Sequence, residues 1–147
     1  MFRSIVVGTD GSETAHKAVD AAIELARLTG AQLELVSAYE PPTGQRARAG
    51  SRSGPIDPQW TVTPREDVDA TLAEAAARAQ AAAVRSRSFA REGDPADAIL
   101  DVAEELDADL IVVGSKGTTG AKRFLLGSVP NKVTHHAPCA VMIIRTS

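Results

Sequence analysis

Apolar and polar residues change their period several times along the chain. Residues 4–8, SIVVG, form a short β-branched run that stops at glycine, which predicts a buried strand. In the next segment Ala15, Ala18, Val19, Ala22, Ile23 and Ala26 return at helical spacing, and Gly30 stands where a helix would stop. Residues 31–39, AQLELVSAY, alternate and predict a second strand, completing a strand–helix–strand unit. An alanine-rich stretch from Glu66 to about Val84 predicts a second helix. It is followed by RSRSFAREG at 85–93, a third strand whose arginines suit a sheet edge. Asp94 and Pro95 read as the N-cap and first residue of a third helix that turns Ile99, Leu100, Ala103 and Leu106 inward. LIVVG at 110–114 is apolar without interruption, as a central parallel strand should be. A glycine-rich segment and a fourth helix around 129–137 follow it, and CAVMIIR at 139–145 is the last strand.

Five strands alternating with four helices predict an α/β fold, a doubly wound parallel sheet with right-handed crossovers, formed by residues 1–147 as one domain. Ligands bind such sheets beyond the carboxyl ends of the strands, where the winding reverses. The strand ends near 8–10, 37–40 and 113–117 are therefore expected to converge. Residues 40–65 break the alternation: five prolines, three glycines and no sustained period predict a long mobile loop, either a lid or a tolerated insertion.

Composition narrows the function classes. With aromatics at 3%, the core must be built from Ala, Val, Ile and Leu, the usual filling between helices and a parallel sheet. A net charge of −3 supplies no field that would gather nucleic acid. No run approaches the roughly 20 apolar residues of a membrane span. Cys139 stands alone, excluding an internal disulfide and a multi-cysteine metal site, and the chain is expected in the cytoplasm. Cys139 itself reads as a small packing residue. His16, His135 and His136 lack metal-ligand spacing, and the last two fall where cations favour a helix C-terminus. No residue is an evident base for activating water, which favours a binding protein over an efficient hydrolase.

The densest chemistry is in GSKGTTGAKRFLLGS, residues 114–128. Gly114, Gly117 and Gly120 allow successive N–H groups to face one concavity, an anion nest. Ser128 reads as the N-cap of the following helix, with Pro130 in its first turn, so the helix start offers a second anion site. Lys116, Lys122 and Arg123 add positive charge. The segment is not a Walker loop, because Ala121 separates Gly120 from Lys122 and no glycine occupies position 115. A G-x-G-x-x-G fingerprint is also absent after the first strand, which offers only Gly8 and Gly11. Taken by itself, the segment is either a phosphate site or a structural glycine turn.

The spacing G-x-x-G, nine residues, then G-S, here Gly114, Gly117, Gly127 and Ser128, resembles the nucleotide-binding motif of the universal stress protein family. IVVGTDGS near the start and HAPCAVMIIR near the end are similar to that family's first and last strands. The resemblance implies strand order 3-2-1-4-5 and an adenine nucleotide, ATP first among them, between strands one and four. Gly8, Thr9 and Asp10 would line the site after strand one, with Asp10 near the ribose or a nucleotide-bound Mg ion; Asp10 also reads as a helix N-cap, with Glu13 three residues on as in a capping box, and the two roles are compatible. Ala38 would recognise adenine through its backbone and Val113 would pack on the base. Gly114, Lys116 and Gly117 would contact ribose and phosphates, and Gly127, Ser128 and Val129 would close the phosphate end. Pro130 departs from the Ser or Thr of many ATP-binding members, which leaves cyclic AMP open. The implied function is a regulatory nucleotide sensor, with a slow ATPase as the alternative, and the implied assembly is a homodimer paired through 139–145.

Overall fold

The computed structural model describes residues 2–39, 65–115 and 126–145. Among them the order is β1 (Ser4–Gly8), α1 (Glu13–Thr29), β2 (Gln32–Tyr39), α2 (Arg65–Ala81), β3 (Ser86–Glu92), α3 (Pro95–Glu105), β4 (Leu110–Gly114), α4 (Ser128–His136) and β5 (Ala140–Ile144). All strand pairs are parallel, and the sheet runs β3-β2-β1-β4-β5, as the resemblance implies. Predicted loop 40–65 falls outside the described residues apart from Arg65, which opens α2. Lys116, Gly117, Gly120, Lys122 and Arg123 also lie outside them.

Two apolar layers cover the sheet. On one face Ile5, Val7, Leu33, Leu35, Leu110 and Val112 pack against α1 through Val19, Ala22 and Ile23, and against α2 through Val68 and Leu72. On the other, Val6, Val36, Ile111 and Val113 meet Ile99 and Val102 of α3 and Val129 and Val133 of α4. Small alanines let the helices lie close, and each fully buried Val, Leu or Ile contributes about 1.5–3 kcal/mol.

Because β2 lies inside the sheet, its alternating sequence does not produce an exposed face. Glu34 is 0% exposed. A carboxylate so placed requires partners. Arg87 on β3 donates from Nε and Nη2 at 2.9 and 2.8 Å, and the Ser4 hydroxyl donates at 3.1 Å. Arg87 and Arg91 occupy the β3 edge, as the sequence predicts.

Helix ends follow local chemistry. Asp94 caps α3 by accepting from the Asp97 N–H at 3.0 Å, with Pro95 next, and Gly30 ends α1 at φ 76°. The second helix stops at Ala81, before the predicted Val84. Its alanine run carries no glycine stop; instead Ala83 takes φ 61° while the Val84 N–H bonds the Ala79 carbonyl at 2.9 Å and the Ala83 N–H bonds Gln80 at 2.9 Å. These two bonds make a Schellman turn, which absorbs the residues the periodicity assigned to helix.

Candidate functional site

The winding reverses between β1 and β4, so the carboxyl ends of these neighbouring strands leave the crevice in which α/β sheets bind ligands. Gly8 ends β1 opposite Val36, and the Thr9 N–H extends the pairing by donating to the Val36 carbonyl at 2.9 Å. This bond holds Thr9 against β2 and leaves it 1% exposed. The chain then turns sharply: the Gly11 N–H donates to Thr9 Oγ1 at 3.1 Å, and the Ser12 N–H to Asp10 Oδ1 at 2.9 Å.

Asp10 is therefore not the N-cap of α1. Ser12 has that role, its hydroxyl accepting from the Ala15 N–H at 3.2 Å. The physical reason is Gly11, whose φ of 81° bends the chain after Asp10 and turns its carboxylate to the Ser12 amide, an Asx turn. Glu13 is the first helical residue, so no capping box forms with Asp10.

The other half of the site grows from β4. Gly114 ends the strand opposite Ile144. The Ser115 N–H donates to the Ile144 carbonyl at 2.8 Å, and the Ser115 carbonyl accepts from the Gly127 N–H at 2.9 Å. That second bond fastens the start of α4 to the end of β4. Gly127, at φ −66° and ψ 172°, is the N-cap, and its carbonyl accepts from the Asn131 N–H at 3.0 Å. The predicted cap, Ser128, is instead the first helical residue, because the extended Gly127 already supplies the carbonyl that begins the helical ladder. No acidic residue stands in the first turn, so the positive end of the helix is not neutralised by its own sequence. Pro130, buried in that turn, removes one N–H from the helix start.

Ala38, Val113 and Val129 belong to one buried cluster, which places the predicted base-side residues beside the helix that carries the predicted phosphate-side residues. The fold thus gathers Gly8, Thr9, Asp10, Ala38, Val113, Gly114, Gly127, Ser128 and Val129 at the carboxyl end of the sheet. Sequence reading missed Gly11. A Cβ there would stand 2.8 Å from Thr71 Oγ1, so both space and backbone conformation require glycine. Its signal was present in the D-G pair, a common turn dipeptide.

Among the described residues, one ion-pair cluster links α3 and α4 near this end. Lys132 of α4 pairs with Asp97 at 2.8 Å and Asp94 at 3.4 Å; the Asp97 hydrogen bond and the Asp94 charge hold its ammonium above the usual lysine range and tie α4 to the start of α3. Among the described residues no group of three or more His, Cys, Asp or Glu is placed to hold a metal ion. Cys139 is part-buried, and desolvation, aided by the charge of Asp109, pushes its thiol up, away from the reactive thiolate. His135 lies in the last turn of α4, with Nδ1 2.8 Å from the Asn131 carbonyl.

Comparison with known proteins gives one consistent answer. The sequence model described as Universal stress protein family matches residues 1–145. A universal stress protein of Mycobacterium tuberculosis is 35% identical over 147 residues, covering 99% of this chain and 98% of the relative. The fold is similar to the crystal structure of a universal stress protein in complex with cAMP, at TM-score 0.73, 35% identity and coverage of 99% and 98%. A universal stress protein from Archaeoglobus fulgidus in complex with dAMP is similar at TM-score 0.67 and 28% identity, with coverage of 97% and 98%.

Proposed function

Because this chain belongs to the universal stress protein family, we propose that it binds an adenine nucleotide at the β1–β4 switch point and acts as a regulatory nucleotide sensor. The observation that carries this reading is the bond from the Gly127 N–H to the Ser115 carbonyl, which seats the positive start of α4 at the mouth of the crevice. Similar proteins with cAMP and dAMP support an adenine nucleotide as the ligand class.

In this reading the Ala38 backbone recognises the adenine edge and Val113 packs against the base. Gly114, Lys116 and Gly117 contact the ribose and first phosphate, and Gly127, Ser128 and Val129 close the phosphate end, with the Gly127 N–H itself held by the Ser115 carbonyl. Thr9 and Asp10 close the ribose side next to Gly8, and Asp10 is the residue that would approach an Mg ion carried by a di- or triphosphate. ATP remains the first candidate. A second reading, a monophosphate such as cyclic AMP, is favoured by Pro130, which withdraws a donor from the helix start and suits a ligand with less phosphate to hold.

Gly127→Val tests the site. Valine is compatible with the extended Gly127 backbone, so the fold should persist, while its branched side chain would obstruct the helix-start amides. Binding of ATP and cyclic AMP by equilibrium dialysis should weaken at least about tenfold, with the unliganded melting temperature little changed. A folded variant that binds as the parent does would remove α4 from the site.

A further inference from the structure

The turn that carries Asp10 is packed against α2, a helix to which neither the sequence motifs nor the proposed site assigns any part in nucleotide binding. A Cβ on Gly11 would lie 2.8 Å from Thr71 Oγ1, 3.3 Å from its Cγ2 and 3.6 Å from its Cβ, so the Thr71 side chain takes the space that a side chain on Gly11 would need. The turn is also internally braced, by Thr9 Oγ1 accepting from Gly11 and Asp10 Oδ1 accepting from Ser12. Gly11 therefore lies inside a turn whose amides are held by the Thr9 and Asp10 side chains.

Thr71 heads a stripe. Glu74 and Arg78 follow it at i+3 and i+7 on the same face of α2. Glu74 Oε1 lies 3.0 Å from His16 Nε2, and Arg78 Nη2 donates to both Asp20 carboxylate oxygens at 2.7 Å. These pairs join α2 to α1 on the same face as the Gly11 contact, beside the buried Val68 and Leu72 that seat the helix on the sheet. They are exposed and worth little individually, about 0–1 kcal/mol each. Arg65, the first residue of α2, donates to the Tyr39 hydroxyl at 3.2 Å and stacks 4.9 Å from its ring centroid, linking the same helix to the end of β2 next to Ala38.

We propose that Thr71 is a positioning residue of the nucleotide site: its side chain seats the Asp10–Ser12 turn, so that nucleotide affinity depends on the size of the group at position 71. The proposal rests on the nucleotide-binding reading above. Its test uses Thr71→Val, which keeps the shape and loses the hydroxyl, and Thr71→Leu, which enlarges the contact. Affinities for ATP and cyclic AMP, thermal unfolding, and backbone amide resonances without nucleotide are measured for each.

Thr71→Val should bind within about twofold of the parent, whereas Thr71→Leu should bind at least about tenfold more weakly. In nucleotide-free Thr71→Leu the Gly11 and Ser12 amides should shift while those of Ser128 and Val129 stay in place, a pattern that general destabilisation would not produce. Parental affinity in Thr71→Leu overturns the proposal, as does a loss with unmoved Gly11 and Ser12 amides. Should the parent protein bind neither nucleotide, the functional reading fails, while the amide shifts still decide whether Thr71 seats the turn.

Discussion

Ala83 occupies the left-handed position that ends α2, at φ 61°, where a Cβ is strained and glycine is not. Ala83→Gly should raise stability by about 1 kcal/mol, read as a higher urea midpoint with an unchanged slope; a lower midpoint would contradict the assigned turn. Asp109 gives a pH-dependent counterpart. Its carboxylate accepts from the Arg3 N–H and, at 3.0 Å, from the Ser4 N–H, and these donors, Arg3 first, hold it below the usual carboxylate range. A lowered folded pKa stabilises above the unfolded value of about 3.9, and the contribution is lost as pH falls through the folded pKa. Asp109→Asn should therefore destabilise the protein at pH 7, with the gap to the parent closing below about pH 4. Urea midpoints that stay equally separated from pH 7 to pH 3 would refute this. Caps show where sequence reading stops at this level. Asp94 was legible because proline follows it, whereas Thr9, Asp10 and Ser12 are three capping side chains in four positions, and only the bend at Gly11 selects Ser12.

Secondary structure was legible almost strand for strand, because aliphatic runs bounded by glycine or polar residues have no other stable place than a covered parallel sheet. Both β1 and β4 have the limits the pattern predicts. Glu34 was not legible: alternation in β2 resembles a half-exposed strand, and its burial depends on Arg87 and Ser4, residues far away in sequence. The Gly11–Thr71 contact was hidden for the same reason. The final strand carries a consequence for assembly. It is a sheet edge with Met142 and Ile143 each 37% exposed, and an unpaired apolar edge is a template for another strand. We expect a two-fold homodimer joined through β5. Sedimentation should give a dimer at micromolar concentration that Met142→Lys with Ile143→Lys converts to folded monomer; a parental monomer, or an undisturbed dimer in the variant, would contradict it.

For the molecule as a unit, topology and chemistry lead to the same place. The reversal in strand order opens a crevice between β1 and β4, and the braced Asp10 turn and the start of α4 stand at its two sides. The sequence motif located both sides, since glycine spacing and the strand that precedes it are local features. It left undetermined how the segment beyond Gly114 returns, which the Ser115–Gly127 bond answers, and what supports the Asp10 turn from behind, which is α2. Neither depends on residues adjacent in sequence. The central claim is that this crevice takes an adenine nucleotide. Its most direct test is calorimetric titration of nucleotide-stripped protein with ATP, ADP, AMP and cyclic AMP, with GTP as the comparison. At least one adenine nucleotide should saturate at one per chain with a dissociation constant on the order of micromolar, equivalent to about −8 kcal/mol, and GTP should not compete. Absence of saturable heat for all four adenine nucleotides, together with unchanged melting temperatures at millimolar ligand, would contradict it.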